Sequence, residues 1–134
     1  MTITINQTIE REVLEDIFVT ALEGGSNYWY FLSSNATKLI RDAVPKSEDP
    51  YLSTAILKAI ERGVEVPIND AEDDEHDEDG VIGTISLKTM QERLQKLSRS
   101  ANSDALMAHI KEEGDADTAD IVLQYLAFGE IVFG

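Results

Sequence analysis

Asp70 to Asp79 reads D-A-E-D-D-E-H-D-E-D and packs eight carboxylates into ten residues. Like charges at that density repel one another, and their desolvation cost exceeds anything a core could return. The run must therefore be a solvated, mobile surface loop, and the rest of the chain has to fold around it. Its flanks look like strands. Val64, Val66 and Ile68 alternate with Glu65 and Pro67, and Val81 to Ile85 follows. Two strands joined by an acidic tip at 70–80 read as one antiparallel hairpin with a long connection. Pro67 has no N–H to give a ladder, which predicts that its strand lies at a sheet edge or that this side of it faces solvent.

The same run explains much of the charge. Acids exceed bases by 26 − 11 = 15, and 15 − 8 = 7 of that excess remains without it. A chain this acidic repels phosphates, so no direct nucleic-acid binding is expected. No apolar run approaches the ~18 residues of a membrane span, and Met1 to Glu12 lacks the basic flank and apolar stretch of a secretion signal. There is no cysteine, hence no disulfide, thiolate nucleophile or thiolate metal ligand. A single domain over 1–134 and a cytoplasmic location are the expectations.

The remaining chain is rich in helical periodicity. Val13, Leu14, Ile17, Phe18, Ala21 and Leu22 fall on one face of a helix from about Thr8 to Glu23, with Gly24 and Gly25 as its glycine stop. Ser26 is placed to cap a further helical turn through Leu32. Leu39, Ile40 and Val44 mark a third helix, ended by Pro45. Asp49-Pro50 reads as the cap and first residue of a fourth, with Leu52, Ala55, Ile56, Ala59 and Ile60 inward. Helices are also expected around Leu87–Leu97, after Asn102 or Ser103 up to Gly114, and after Asp115. Thr2 to Ile5 could form a short strand. The fold class is thus α+β, a predominantly helical single domain with a small antiparallel β-hairpin. The apolar tail, Phe128 to Gly134, must pack on the core or on a second subunit, because each exposed large side chain costs roughly 1.5–3 kcal/mol. A homodimer is one way to do so.

The most unusual local composition is Glu23-Gly24-Gly25-Ser26-Asn27-Tyr28-Trp29-Tyr30. One reading is a ligand pocket, with aromatic rings stacking on a planar base and Asn27 reading polar edges. Glu23, Gly24, Gly25, Asn27, Tyr28 and Trp29, with Glu130 from the tail, are its candidate residues. The structural reading is a helix corner plugged by aromatics. The acidic run supplies a second candidate surface, for a protein partner: Asp70, Glu72, Asp73, Asp74, Glu75, Asp77, Glu78 and Asp79. Glu75-x-Asp77-x-Asp79-Gly80 imitates the start of a calcium loop, but its twelfth position is Ser86, where a bidentate Glu is required. No metal site and no cofactor are expected. The run could instead imitate DNA phosphates and block a DNA-binding protein, helped by Glu10, Glu12, Glu15 and Asp16. Hydrolysis has little to stand on: His76 sits in the acidic run, and nothing in the spacing brings His109 to a serine and a carboxylate.

Two stretches carry a resemblance. Ala21 to Trp29, an E-G-G-x-x-Y-W box, and Asp117 to Gln124 running into Phe128-Gly129-Glu130-Ile131-Val132-Phe133-Gly134 resemble a family of small uncharacterised proteins of bacteriophages and prophages. The resemblance implies an accessory role in the cytoplasm of an infected bacterium. By analogy with such accessory proteins, the expected function is non-enzymatic: counteracting a host defence by binding a host protein or a small nucleotide-type signal.

Overall fold

The computed structural model describes residues 1–4, 8–72 and 80–134. Strand β1 (Thr2–Thr4) pairs antiparallel with β2 (Thr8–Glu10), and helix α1 (Arg11–Thr20) follows directly. The predicted first helix therefore starts three residues late. Ile9 is fully buried, and extended pairing with Ile3 puts it there. The helix then widens into a π-helical turn, Ala21–Gly25. Next come the short strand β3 (Tyr30–Phe31), α2 (Ser34–Ala43), α3 (Leu52–Glu61), β4 (Val66–Asp70), β5 (Val81–Ile85), α4 (Leu87–Ser98), α5 (Ser103–Ile110) and α6 (Ala116–Phe128). This is an α+β fold, helical for the most part, with the expected β4–β5 hairpin.

Several local expectations are corrected. Ser26 caps no helix; it leads through a turn into β3, which joins the sheet in the order β3-β4-β5. The strand holding Pro67 is consequently central. The proline is tolerated because β3 reaches only Asn69 and Asp70 of β4, while Pro67 pairs with Thr84 on the other side. Asp49 does not sit at the N-cap of α3. That position is Tyr51, and Asp49 acts from two residues earlier, accepting from the Tyr51 N–H at 3.1 Å. It also accepts from Thr54 Oγ1 at 2.6 Å and Lys58 Nζ at 3.0 Å. Burial works to raise its carboxyl, but these three donors outweigh it and hold the group at about 2. Helix α5 ends before Gly114, and Glu112 takes the left-handed conformation at φ 61°.

Helix α6 organises the rest. Asp115 caps it reciprocally with Thr118, and Gly129 closes it at φ 78°. It packs on α1, α4, α5, β5 and the π turn. Gly83 lets β5 lie against it, since a Cβ there would sit 2.7 Å from the Ala127 carbonyl oxygen. Arg93 of α4 donates to the Leu126 and Ala127 carbonyls at its C-terminal end and to Thr84 of β5. That places a cation at the negative end of the helix and ties helix to sheet.

Candidate functional site

The two boxes singled out in the sequence meet, and the residue that joins them is Asp120. It lies on α6 and is 8 % exposed. Its Oδ1 accepts from Ser26 Oγ and from Trp29 Nε1, both at 2.7 Å. Its Oδ2 accepts from the Tyr28 hydroxyl at 2.5 Å and from Gln124 Nε2 at 3.2 Å. Gln124, one turn on, holds the tail: its Oε1 accepts from the Val132 and Phe133 amides at 2.9 and 2.8 Å, and its Nε2 donates to the Phe133 carbonyl at 3.0 Å. Phe133 then stacks on Trp29, with centroids 5.4 Å apart and planes 9° from parallel. Phe128 tilts against the same indole at 5.2 Å.

Trp29 is thereby a core residue, 1 % exposed. The stacking surface read from the sequence is occupied by the chain's own tail. The glycine pair also has a different cause from the one expected. Neither Gly24 nor Gly25 has a positive φ. Gly25 is required by close approach: a Cβ there would lie 2.4 Å from the Ala116 carbonyl oxygen, at the start of α6.

With Trp29 inside, the corner divides its neighbours between two clefts. Gly25 and Tyr28 line one of about 610 Å³ with Asp117, Asp120, Gln124 and Phe133. Local desolvation of its hydroxyl, then the hydrogen bond to the Asp120 carboxylate, push the half-exposed Tyr28 phenol up to about 12. Glu23 and Asn27 line the other, a larger cleft of about 660 Å³, together with Tyr30, Phe31, Tyr51, Arg41, Lys46 and Ser53. Leu22, Leu32 and Leu52 complete an apolar wall. The Tyr30 hydroxyl donates to the Leu22 carbonyl at 2.6 Å, and burial, then the charge of Glu23, raises it to about 12. Ser53 donates to Glu23 at 3.2 Å. Arg41 gives its terminal nitrogens to the Val44, Asp49 and Pro50 carbonyls, while its Nε is buried without a partner. Lys46 is exposed and makes no hydrogen bond or ion pair among the described residues.

The other sequence candidates fall elsewhere. Gly24 and Glu130 are exposed and line neither cleft. Of the acidic surface, Asp70 closes β4 and Glu72 is exposed, its amide donating to Asp70 Oδ1 at 2.9 Å; Asp73, Asp74, Glu75, Asp77, Glu78 and Asp79 lie outside the described residues. His109 does find a hydroxyl and a carboxylate. Its Nε2 is 2.9 Å from Thr118 Oγ1 and its Nδ1 is 3.8 Å from Asp16. Thr118, however, is committed to the N-cap of α6, which makes this a structural contact. Among the described residues no cluster of three metal-ligating side chains forms, and no helix is long and apolar enough to cross a membrane.

The sequence reading gave no role to Asp120, Gln124, Arg41, Lys46 or Tyr51. A signal existed for the first two: both interrupt the apolar face of α6 about one turn apart, where a polar side chain must find a partner. The other three come from separate segments that only the fold assembles. Comparison with protein-family models, with curated proteins and with solved structures finds no match.

Proposed function

We propose that this chain is a non-enzymatic accessory binding protein that captures a small, anionic, ring-bearing molecule of nucleotide type. One observation carries the reading. On a chain with a net charge of −15, Lys46 and Arg41 share a cleft of about 660 Å³ with Tyr30, Phe31 and Tyr51. Volume and lining are those of a small-molecule site, an apolar wall with a few polar groups to orient the ligand. The aromatic rings suit a planar base, and the two cations supply local attraction against the repulsive field of the whole protein. The resemblance of the terminal boxes to phage and prophage proteins supports a place in the cytoplasm of an infected bacterium. It also supports a role against a host system that signals through such a molecule.

The test is isothermal titration calorimetry against mono-, di- and cyclic nucleotides, with the corresponding nucleosides as controls. Saturable binding to one site is expected. Lys46→Glu should weaken it at least tenfold, about 1.4 kcal/mol, and should do so more at low salt. Tyr51→Ala should weaken nucleotides and nucleosides alike. No binding across the panel, or binding indifferent to both variants, would sink the proposal.

A further inference from the structure

A further cleft, of about 480 Å³, lies where α1, the end of α5 and the start of α6 converge; Glu12, Asp16, His109, Glu112 and Gly114 line it. The His109 side chain is buried, and Gly114 packs flat on it: a Cβ on that glycine would be 2.3 Å from Nδ1. The Thr118 hydroxyl governs which ring nitrogen carries the proton. The Thr118 hydroxyl accepts from the Asp115 amide at 2.8 Å, and its one proton has three acceptors in reach: the Asp115 carbonyl at 3.1 Å, the Asp115 carboxylate at 3.2 Å and His109 Nε2 at 2.9 Å. When that proton goes to Asp115, the remaining lone pair accepts, and Nε2 carries the hydrogen that spans the 2.9 Å to Thr118. Nδ1 is then a bare lone pair, buried and without a partner. It faces a carboxylate, Asp16 Oδ2, from 3.8 Å, and Asp16 itself is largely in water, its side chain 71 % exposed. A lone pair and a carboxylate cannot bond.

We propose that His109 and Asp16 form a proton-operated latch: a proton on Nδ1 converts the facing lone pair into a donor, and Asp16 closes onto it. Closing needs a movement of about 1 Å, from 3.8 Å to the ~2.8 Å of a charge-assisted bond. The charged groups facing the ring are Glu12 and Asp16 from α1, Glu112 from the turn after α5, and Asp115 from the cap of α6. Burial keeps the ring neutral to lower pH than an ordinary histidine, with Asp16 and then Asp115 opposing it. The latch joins α1 to the N-terminal end of α6. That end also carries Ala116, which packs on Gly25, so the proton is read next to the corner that separates the two ligand-sized clefts.

Nitrogen and carbon NMR of the His109 ring across the acid range tests this on the intact protein. At mildly alkaline pH the ring should show the Nε2–H tautomer. On acidification the Asp16 carboxyl resonance should move with the midpoint of His109. Asp16→Asn, at an exposed position that leaves the fold intact, should lower that midpoint by roughly half a pH unit or more. Glu12→Gln should lower it much less. A hydrogen already on Nδ1 at alkaline pH, an unchanged midpoint in Asp16→Asn, or an equal effect of Glu12→Gln would each overturn the latch.

Discussion

Removing the Asp120 side chain tests the architecture most directly. Two donors that lose their acceptor in Asp120→Ala are buried, Ser26 at 0 % and Trp29 at 1 % exposure. Each unsatisfied buried donor costs about 1–3 kcal/mol. Tyr28 is 55 % exposed and can be rehydrated, and Gln124 keeps the Phe133 carbonyl. The cost should therefore come almost wholly from Ser26 and Trp29, about 2–6 kcal/mol for the two, out of the 5–15 kcal/mol that holds a typical domain together. Asp120→Asn separates charge from geometry. Its amide oxygen can still serve Ser26 and Trp29, while its amide nitrogen meets Tyr28, whose hydroxyl can turn to accept, and the Gln124 amide, which cannot. A cost of about 1–2 kcal/mol follows. Urea unfolding is the assay, read by circular dichroism and by the fluorescence of Trp29, the one tryptophan, which sits inside the network. With a slope of about 1–3 kcal/mol per molar urea, Asp120→Ala should lower the midpoint by about 0.7 M or more. Combining it with Trp29→Phe should show a coupling of about 1 kcal/mol or more. An alanine variant within about 0.5 kcal/mol of the parent, or an asparagine variant as costly as alanine, would refute the account of Asp120 as the shared acceptor.

Three other outcomes follow from the same structure. Gly25→Ala should destabilise by about 1–3 kcal/mol, because its Cβ meets backbone at Ala116 and α6 must shift, whereas Gly24→Ala should be near neutral; urea midpoints compare them. Glu112→Gly should raise stability by about 0.5–1 kcal/mol, since a side chain at φ 61° is strained and glycine is not. Alkali should unfold the protein through Tyr30: its folded value of about 12 exceeds the ordinary 10.0, so its contribution is complete below pH 10 and lost as pH rises towards 12. Tyr30→Phe should flatten that part of the stability–pH curve, measured by urea unfolding at stepped pH.

The sequence by itself determined the elements that local chemistry controls. Asp115 with Thr118 and Ser86 with Thr89 are reciprocal caps, and both helices begin where those pairs stand. The acidic run separates two strands of a hairpin, as self-repelling charge requires. The E-G-G-S-N-Y-W composition marked a special corner, and it is one. What that corner does depends on partners some 90 positions away, and periodicity carries no information about them. Helical spacing hid β2, because Ile9 fits either pattern and only pairing with β1 decides between them. Pro67 argued for an edge strand, yet the neighbouring strand is simply too short to need its N–H. The same limit applies to the clefts. Trp29 belongs to the core because Phe133 folds back onto it, held there by Gln124. Lys46, Arg41 and Tyr51 face Tyr30 and Asn27 only because α2, α3 and the corner pack together. Caps, turns and charge runs are settled within a few residues of chain; which surfaces are left open is settled by what packs against what.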